Sequence, residues 1–198
     1  MTTLSSAQRI ALYSQHYLTH DDWMNLCELA GFDEPSEQLA SLTFEQFFGL
    51  AVHTFLTAED AHVRQQLAAL IPKFGSRAVL SLFKIVFHCA KKEESLQDEL
   101  QSELGAIALK SLESIEPAAF VVGLENAILD PSALALMPLM IEVLVDRVRG
   151  DDGELLTLLP RLLSTQSWQQ LKHHLLNVPT FSAIQASIRM QNAAALTC

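Results

Sequence analysis

Two histidines, His16 and His20, stand four residues apart and are followed by Asp21 and Asp22. Four residues is the spacing that sets two side chains on one face of a helix, and these residue types are metal ligands. The pattern is broken locally, however, because Thr19 with Asp22 forms a helix-start signature that ends any shared helix between the histidines. Glu59 and His62 make one Glu-x-x-His pair, a device that helical two-metal sites use twice with further glutamates. No second copy occurs among the seven histidines, so neither a metal nor a cofactor is expected.

Nucleophilic chemistry has equally little to work with. Cys89 adjoins His88, but neighbours in a helix point about 100° apart and do not form a hydrogen-bonded pair. Cys89, like Cys27 on its apolar face beside Glu28, reads as a small core residue. Neither a Gly-rich phosphate loop nor a Ser elbow occurs, so no catalytic residue is assigned. An enzyme or small-ligand protein whose pocket gathers residues from distant helices stays open as the alternative.

The strongest nonrandom feature is charge. The chain carries a net −10, distributed as −8 over residues 1–60, +6 over 61–92, −11 over 93–154 and +3 over 155–198, and neither positive block contains an acid. Within the first, Arg77, Ser81, Lys84, His88 and Lys91 recur at the 4, 3, 4, 3 steps of a helical stripe. The rest of that helix is apolar, which predicts packing on several sides. Arg64, Lys73, Arg77, Lys84, His88 and Lys91, joined by Arg161, Trp168 and Lys172 of the second acid-free block, form the expected binding surface for an acidic or amphipathic protein segment. Two readings compete with docking: these charges face acidic helices of the same molecule, or they face a second copy in a homo-oligomer. Trp168, with Leu171 and Leu175, also fits a core stripe. The net negative charge argues against nonspecific nucleic-acid binding.

These residues need helices to hold them, and helix signals dominate the chain. Ser5 with Gln8 opens a first helix to about Leu18, Thr19 with Asp22 a second that Gly31 closes, and Thr43 with Gln46 a third over 44–56. Thr57 with Asp60 opens 58–74, Gly75-Ser76 separates it from 77–91, and 95–114 follows. Glu116-Pro117, Asp130-Pro131 and Ser164-Thr165 punctuate helices at 117–129, 131–149, 154–163 and 166–176, with a last helix at 180–192 after Pro179. Strand and hairpin signals are nearly absent, so the fold class is all-α, built from antiparallel helix pairs.

One internal echo occurs: Leu70-Ile-Pro72-Lys-Phe74 and Leu158-Leu-Pro160-Arg-Leu162 share an apolar-apolar-Pro-basic-apolar pattern. Asp60-Ala-His-Val-Arg64-Gln-Gln-Leu-Ala-Ala-Leu70 resembles the second helix of a HEAT repeat, and Pro138-Leu-Met-Ile-Glu-Val-Leu144-Val-Asp146-Arg-Val-Arg149 resembles the end of a HEAT first helix. The resemblance spans about residues 44–177 and implies a short curved α-solenoid whose usual role is protein binding. It departs from the family in having no regular unit length, and a non-repetitive helical bundle is the alternative.

Length and composition agree with one α-helical domain over 1–198, in which 1–31 forms a two-helix N-terminal appendage and 44–192 the main array; Phe32-Asp-Glu-Pro-Ser-Glu is the linker. The longest apolar run, Ala133 to Val145, contains Pro138 and Glu142 and is about half of a membrane span. Three widely spaced cysteines point to a reducing compartment, and without a secretory signal pattern the expected location is cytoplasmic. The function expected is a noncatalytic interaction module, an adaptor or regulator. A self-assembling structural protein is a further alternative.

Overall fold

The computed structural model describes residues 5–32, 42–90, 96–150, 153–176 and 178. Lys91, Cys198, most of the expected linker and the expected helix at 180–192 lie outside the described residues.

The described residues form helices joined by short connections, without strands. Three starts follow the capping boxes read from the sequence. The amides of Gln8, Asp22 and Gln46 donate to the hydroxyls of Ser5, Thr19 and Thr43, and the third-position side chain accepts from each cap amide. These boxes satisfy donors that a helix start leaves unpaired and begin α1 (Ser6–Tyr13), α2 (His20–Leu29) and α3 (Phe44–Thr57). The next start is displaced. Thr57 donates to His53 O at 2.9 Å and so belongs to the end of α3, while Asp60 caps α4 (Ala61–Leu70) by accepting from His62 N at 2.8 Å.

The helix expected over 58–74 stops at Leu70 and tightens into a 3₁₀ segment, Ile71–Ala78. Pro72 lacks the amide that would continue the α-helix, and Gly75 adopts φ 62°. Only glycine fits there: a Cβ on Gly75 would lie 2.4 Å from Gln15 O. The close approach is a backbone junction, in which Ser76 N donates to Gln15 O at 3.1 Å and Tyr17 N to Lys73 O at 2.7 Å. The buried Ser76 hydroxyl lies 2.6 Å from Leu12 O and 2.9 Å from Tyr13 O. This junction explains why α1 ends at Tyr13 and not near Leu18, since the backbone of 15–17 is engaged with 73–76 instead of continuing the helix.

α5 (Val79–Cys89) and α6 (Leu96–Ser114) pack on one another, with Gly105 facing the Cys89 side chain. α7 (Pro117–Leu129) starts at Glu116, whose carboxylate accepts from Ala118 N and Ala119 N, with Pro117 in the first position where its missing amide costs nothing. This helix is the centre of the molecule: residues 119–125, Ala127 and Ile128 are buried, and α1, α5, α9, α10 and both 3₁₀ segments touch it. Gly123 lets α7 approach closely, because a Cβ there would meet Val79 Cγ2 at 2.6 Å and Ser76 O at 2.7 Å.

The helix expected over 131–149 is divided into a 3₁₀ segment, Pro131–Leu136, and α8 (Met137–Arg149). Prolines 131 and 138 each withhold an amide at the start of a segment. α9 (Gly153–Leu162) and α10 (Thr165–Leu175) complete the described helices, the latter capped by Ser164. Arg147, buried on α8, donates to Leu112 O and Ile115 O, both at 2.9 Å, and stacks 4.4 Å over the Phe120 ring. It thereby satisfies carbonyls at the end of α6.

One hydrophobic core runs from Leu18, Leu26 and Cys27 through to Leu175, so the first two helices share it with the rest. Trp23 of α2 sits in an aromatic cluster, 4.5 Å from Phe47, 5.9 Å from Phe74 and 6.0 Å from Phe44 between ring centroids. The two echoing segments differ in conformation: Pro72 lies in a 3₁₀ segment and Pro160 inside α9. No single described helix is long and apolar enough to cross a membrane; α7 with Pro131–Arg149 passes only as a pair bent by 112°.

Candidate functional site

The basic stripe on and before α5 is engaged within the chain. Lys73 Nζ lies 2.6 Å from Asp22 Oδ1 of α2, and Arg77 Nη2 lies 2.7 Å from Glu45 Oε1 in the first turn of α3. The Arg77 guanidinium also stacks 4.1 Å over the Phe44 ring, while its buried Nε has no hydrogen-bond partner among the described residues. Lys84 Nζ stands 3.9 Å from Asp130 Oδ2, at the limit of an ion pair. Arg64 turns back to donate to Ala58 O at 2.8 Å and Glu59 O at 3.1 Å. His88 is exposed, its ring edge-on to Phe87 at 6.0 Å. Lys91 lies outside the described residues.

These contacts shift the acids. Burial pushes the Asp22 carboxyl up, but the Lys73 hydrogen bond and the Thr19 amide and hydroxyl outweigh it and hold it below its ordinary value. Glu45 is lowered chiefly by its own backbone amide, with Arg77 adding to the effect against some burial. Asp130 is lowered by the Ser132 hydroxyl and amide, with a smaller part from Lys84. Three cations thus tie α2, α3 and the α7 exit to the segment 73–84.

The metal-type residues do not converge. His16 lies in the connection between α1 and α2 and packs its ring against Phe44 and Trp23, 5.7 and 6.0 Å away, while His20 is the first residue of α2. Among the described residues, no group of three His, Cys, Asp or Glu side chains could hold a metal ion. Burial raises the Cys27 thiol pKa, which disfavours the reactive thiolate, and half-buried Cys89 packs against Gly105.

The second acid-free block meets a different environment. An open cleft of about 620 Å³ lies between α10, which contributes Gln169, Gln170, His173 and His174, and the start of α8 with the 3₁₀ segment before it, which contributes Leu134, Met137 and Pro138. Its floor is apolar and its α10 wall carries amides and imidazoles. Leu134 is 65% exposed, an unusual position for a leucine next to other apolar groups. Lys172 and Trp168 of α10 are half-buried, Trp168 packing against the core, and Arg161 on α9 is exposed. α10 contains no acid and ends on Lys172, His173 and His174. Glu142 of α8, which does not line the cleft, is exposed one helical turn beyond Pro138.

Sequence reasoning missed Leu134, Met137 and Pro138, because apolar residues between two prolines read as core. The proline pair was the usable signal, since it divides the expected helix into a 3₁₀ segment and α8, although Met137 itself is buried and only Leu134 and Pro138 are exposed. Glu125 was missed too. It is buried on α7, paired with Arg9 of α1, and accepts from Ser164 N at 2.9 Å at the start of α10. Compared with known proteins, the chain matches no family model, no curated protein and no solved structure.

Proposed function

We propose that this chain is a noncatalytic protein-interaction module, HEAT-like in packing successive helices against one another but closed around α7, and that it works as a cytoplasmic adaptor or regulator. The observation that carries the reading is the apolar-floored cleft beside acid-free α10. An amphipathic helix of a protein partner would set its apolar face on Leu134, Met137 and Pro138. Acids along its α10 side would meet Lys172, His173 and His174, with Arg161 contributing to the field. Exposed Glu142, a turn beyond Pro138 on α8, favours a partner without acid on that side. The stripe on α5 is the weaker candidate, because Lys73 and Arg77 already hold Asp22 and Glu45.

The test uses a synthetic 16-residue helical peptide with leucines on one face and glutamates on the other, titrated against the full chain by fluorescence anisotropy. Saturable binding is expected, weakened at least fivefold by Leu134→Ser or by Lys172→Glu with Arg161→Glu, and little changed by Lys84→Glu. A lysine-substituted peptide should bind far less. Absence of saturable binding, or affinity indifferent to the cleft substitutions, overturns the reading.

A further inference from the structure

We infer that Arg9 and Glu125 are positioning residues for the α8/α10 cleft: the Glu125 carboxylate couples the seating of α1 to the first turn of α10, so that release of α1 loosens the cleft wall and weakens partner binding. Regulation of partner binding rests on the docking surface proposed above, whereas the coupling of α1 to α10 stands without it.

α1 is seated lightly. It has eight residues, none of them fully buried, and Ile10 is 64% exposed. Ser6, Arg9, Ile10 and Tyr13 share one side of the helix, and an open hollow of about 230 Å³ lies between them and Val122 and Asn126 of α7. The far end of α1 is pinned by the Ser76 hydroxyl at Leu12 O and Tyr13 O, while the nearer turn is held by the Arg9 guanidinium on Glu125. A helix this short is marginal in water by itself, so a turn that leaves the body also loses its hydrogen bonds.

The same carboxylate reaches the cleft wall. Glu125 is 3% exposed, and its second oxygen accepts from Ser164 N at 2.9 Å. Ser164 in turn caps α10: its hydroxyl accepts from Ser167 N at 3.2 Å, its carbonyl from Trp168 N at 2.9 Å, and Ser167 is buried. Gln169 and Gln170 of the cleft wall follow in the next turn, and buried Leu171 and Leu175 anchor the remainder of the helix in the core. The start of α10 therefore depends on an acid whose charge is compensated from α1. α1 contributes no residue to the cleft lining, so Arg9 acts on the cleft through Glu125.

Release of α1 strands the carboxylate. A buried charge without its partner is strongly unfavourable, and the hollow beside Arg9 admits water once the helix lifts. Glu125 turns toward that water and withdraws its other oxygen from Ser164 N, which frays the turn before Gln169. Linkage makes the effect reciprocal. Whatever occupies the cleft and holds α10 in place favours seated α1, and a partner that captures α1 lowers affinity at the cleft.

Hydrogen exchange and peptide titration on the full chain test the coupling. In Arg9→Ala, amides 168–172 of α10 should speed up more than those of α3, which lies outside the cleft; equal acceleration in the two helices, or none in α10, overturns the inference. The acidic peptide should bind Arg9→Ala about fivefold more weakly than the native chain, and equal affinity overturns the regulation while sparing the docking reading. Adding Glu125→Gln to Arg9→Ala should restore α10 protection, because a neutral amide tolerates burial and its oxygen still accepts from Ser164 N. A merely destabilising loss of Arg9 would not be rescued in this way, and failure of the rescue overturns the inference. In the native chain, saturating peptide should slow amides 9–14 of α1 more than those of α3; equal slowing overturns the regulation. Faster α10 exchange in Arg9→Ala, rescued by Glu125→Gln, with no peptide binding to either chain, overturns the docking reading and supports the coupling.

Discussion

The Arg9 guanidinium on the first helix reaches the buried carboxylate of Glu125 on the central helix, 116 residues away along the chain. The other oxygen of Glu125 accepts the Ser164 amide at the start of α10, so one carboxylate joins α1, α7 and α10. None of the α1 side chains is fully buried; this pair, the junction at Gly75 and Ser76, and the packing of half-buried Leu12 and Tyr13 on the core hold the helix.

Removing Arg9 leaves a buried carboxylate with its charge uncompensated. Breaking buried pairs costs about 3–5 kcal/mol; water reaching the partly exposed Arg9 site reduces this to roughly 1–3 kcal/mol. Urea unfolding of Arg9→Ala should show that loss. Glu125→Gln should cost less than Glu125→Ala, because the amide oxygen still accepts from Ser164 N.

The approach of α7 to the first 3₁₀ segment depends on Gly123. Gly123→Ala places a methyl within 2.6 Å of Val79 Cγ2 and 2.7 Å of Ser76 O, and should destabilise by about 1–3 kcal/mol. Gly49→Ala in α3 meets nothing within 4 Å and should stabilise by about 0.5–1 kcal/mol through helix propensity alone. Opposite shifts in the denaturation midpoints of these two variants are the measurement.

Lys73→Glu and Arg77→Glu should each lower the melting temperature, since each turns an ion pair with Asp22 or Glu45 into repulsion. Partly exposed pairs contribute up to about 1 kcal/mol each, and Arg77 adds its stacking on Phe44. Lys84→Glu, 3.9 Å from Asp130, should change stability least. Raising the salt concentration should narrow the differences among the three.

Asp22 makes stability depend on acid. Its folded pKa lies below the ordinary 3.8, so the unfolded chain takes up a proton first as pH falls. The contribution is fully present above the unfolded value, about 4, and is lost as pH drops from there through the lowered folded value. Asp22→Asn keeps an acceptor for the Thr19 amide but cannot titrate. Its stability should fall less steeply below pH 4 than that of the native chain, as read from urea midpoints across that range.

The sequence by itself determined the all-helical class and most helix starts, because a cap such as Ser5 with Gln8 or Thr43 with Gln46 acts within four residues and needs nothing from elsewhere. It also determined the acid-free blocks, which are sums over local composition. Tertiary structure decided what those charges meet: Lys73 finds Asp22, 51 residues away, and neither residue type nor helical period encodes that distance. It decided where α1 ends, since the backbone of Gln15 and Tyr17 bonds to the turn around Gly75 in preference to its own helix. It also opened the cleft at Leu134 and buried Glu125, because exposure of an apolar group or burial of an acid depends on which distant helix stands opposite.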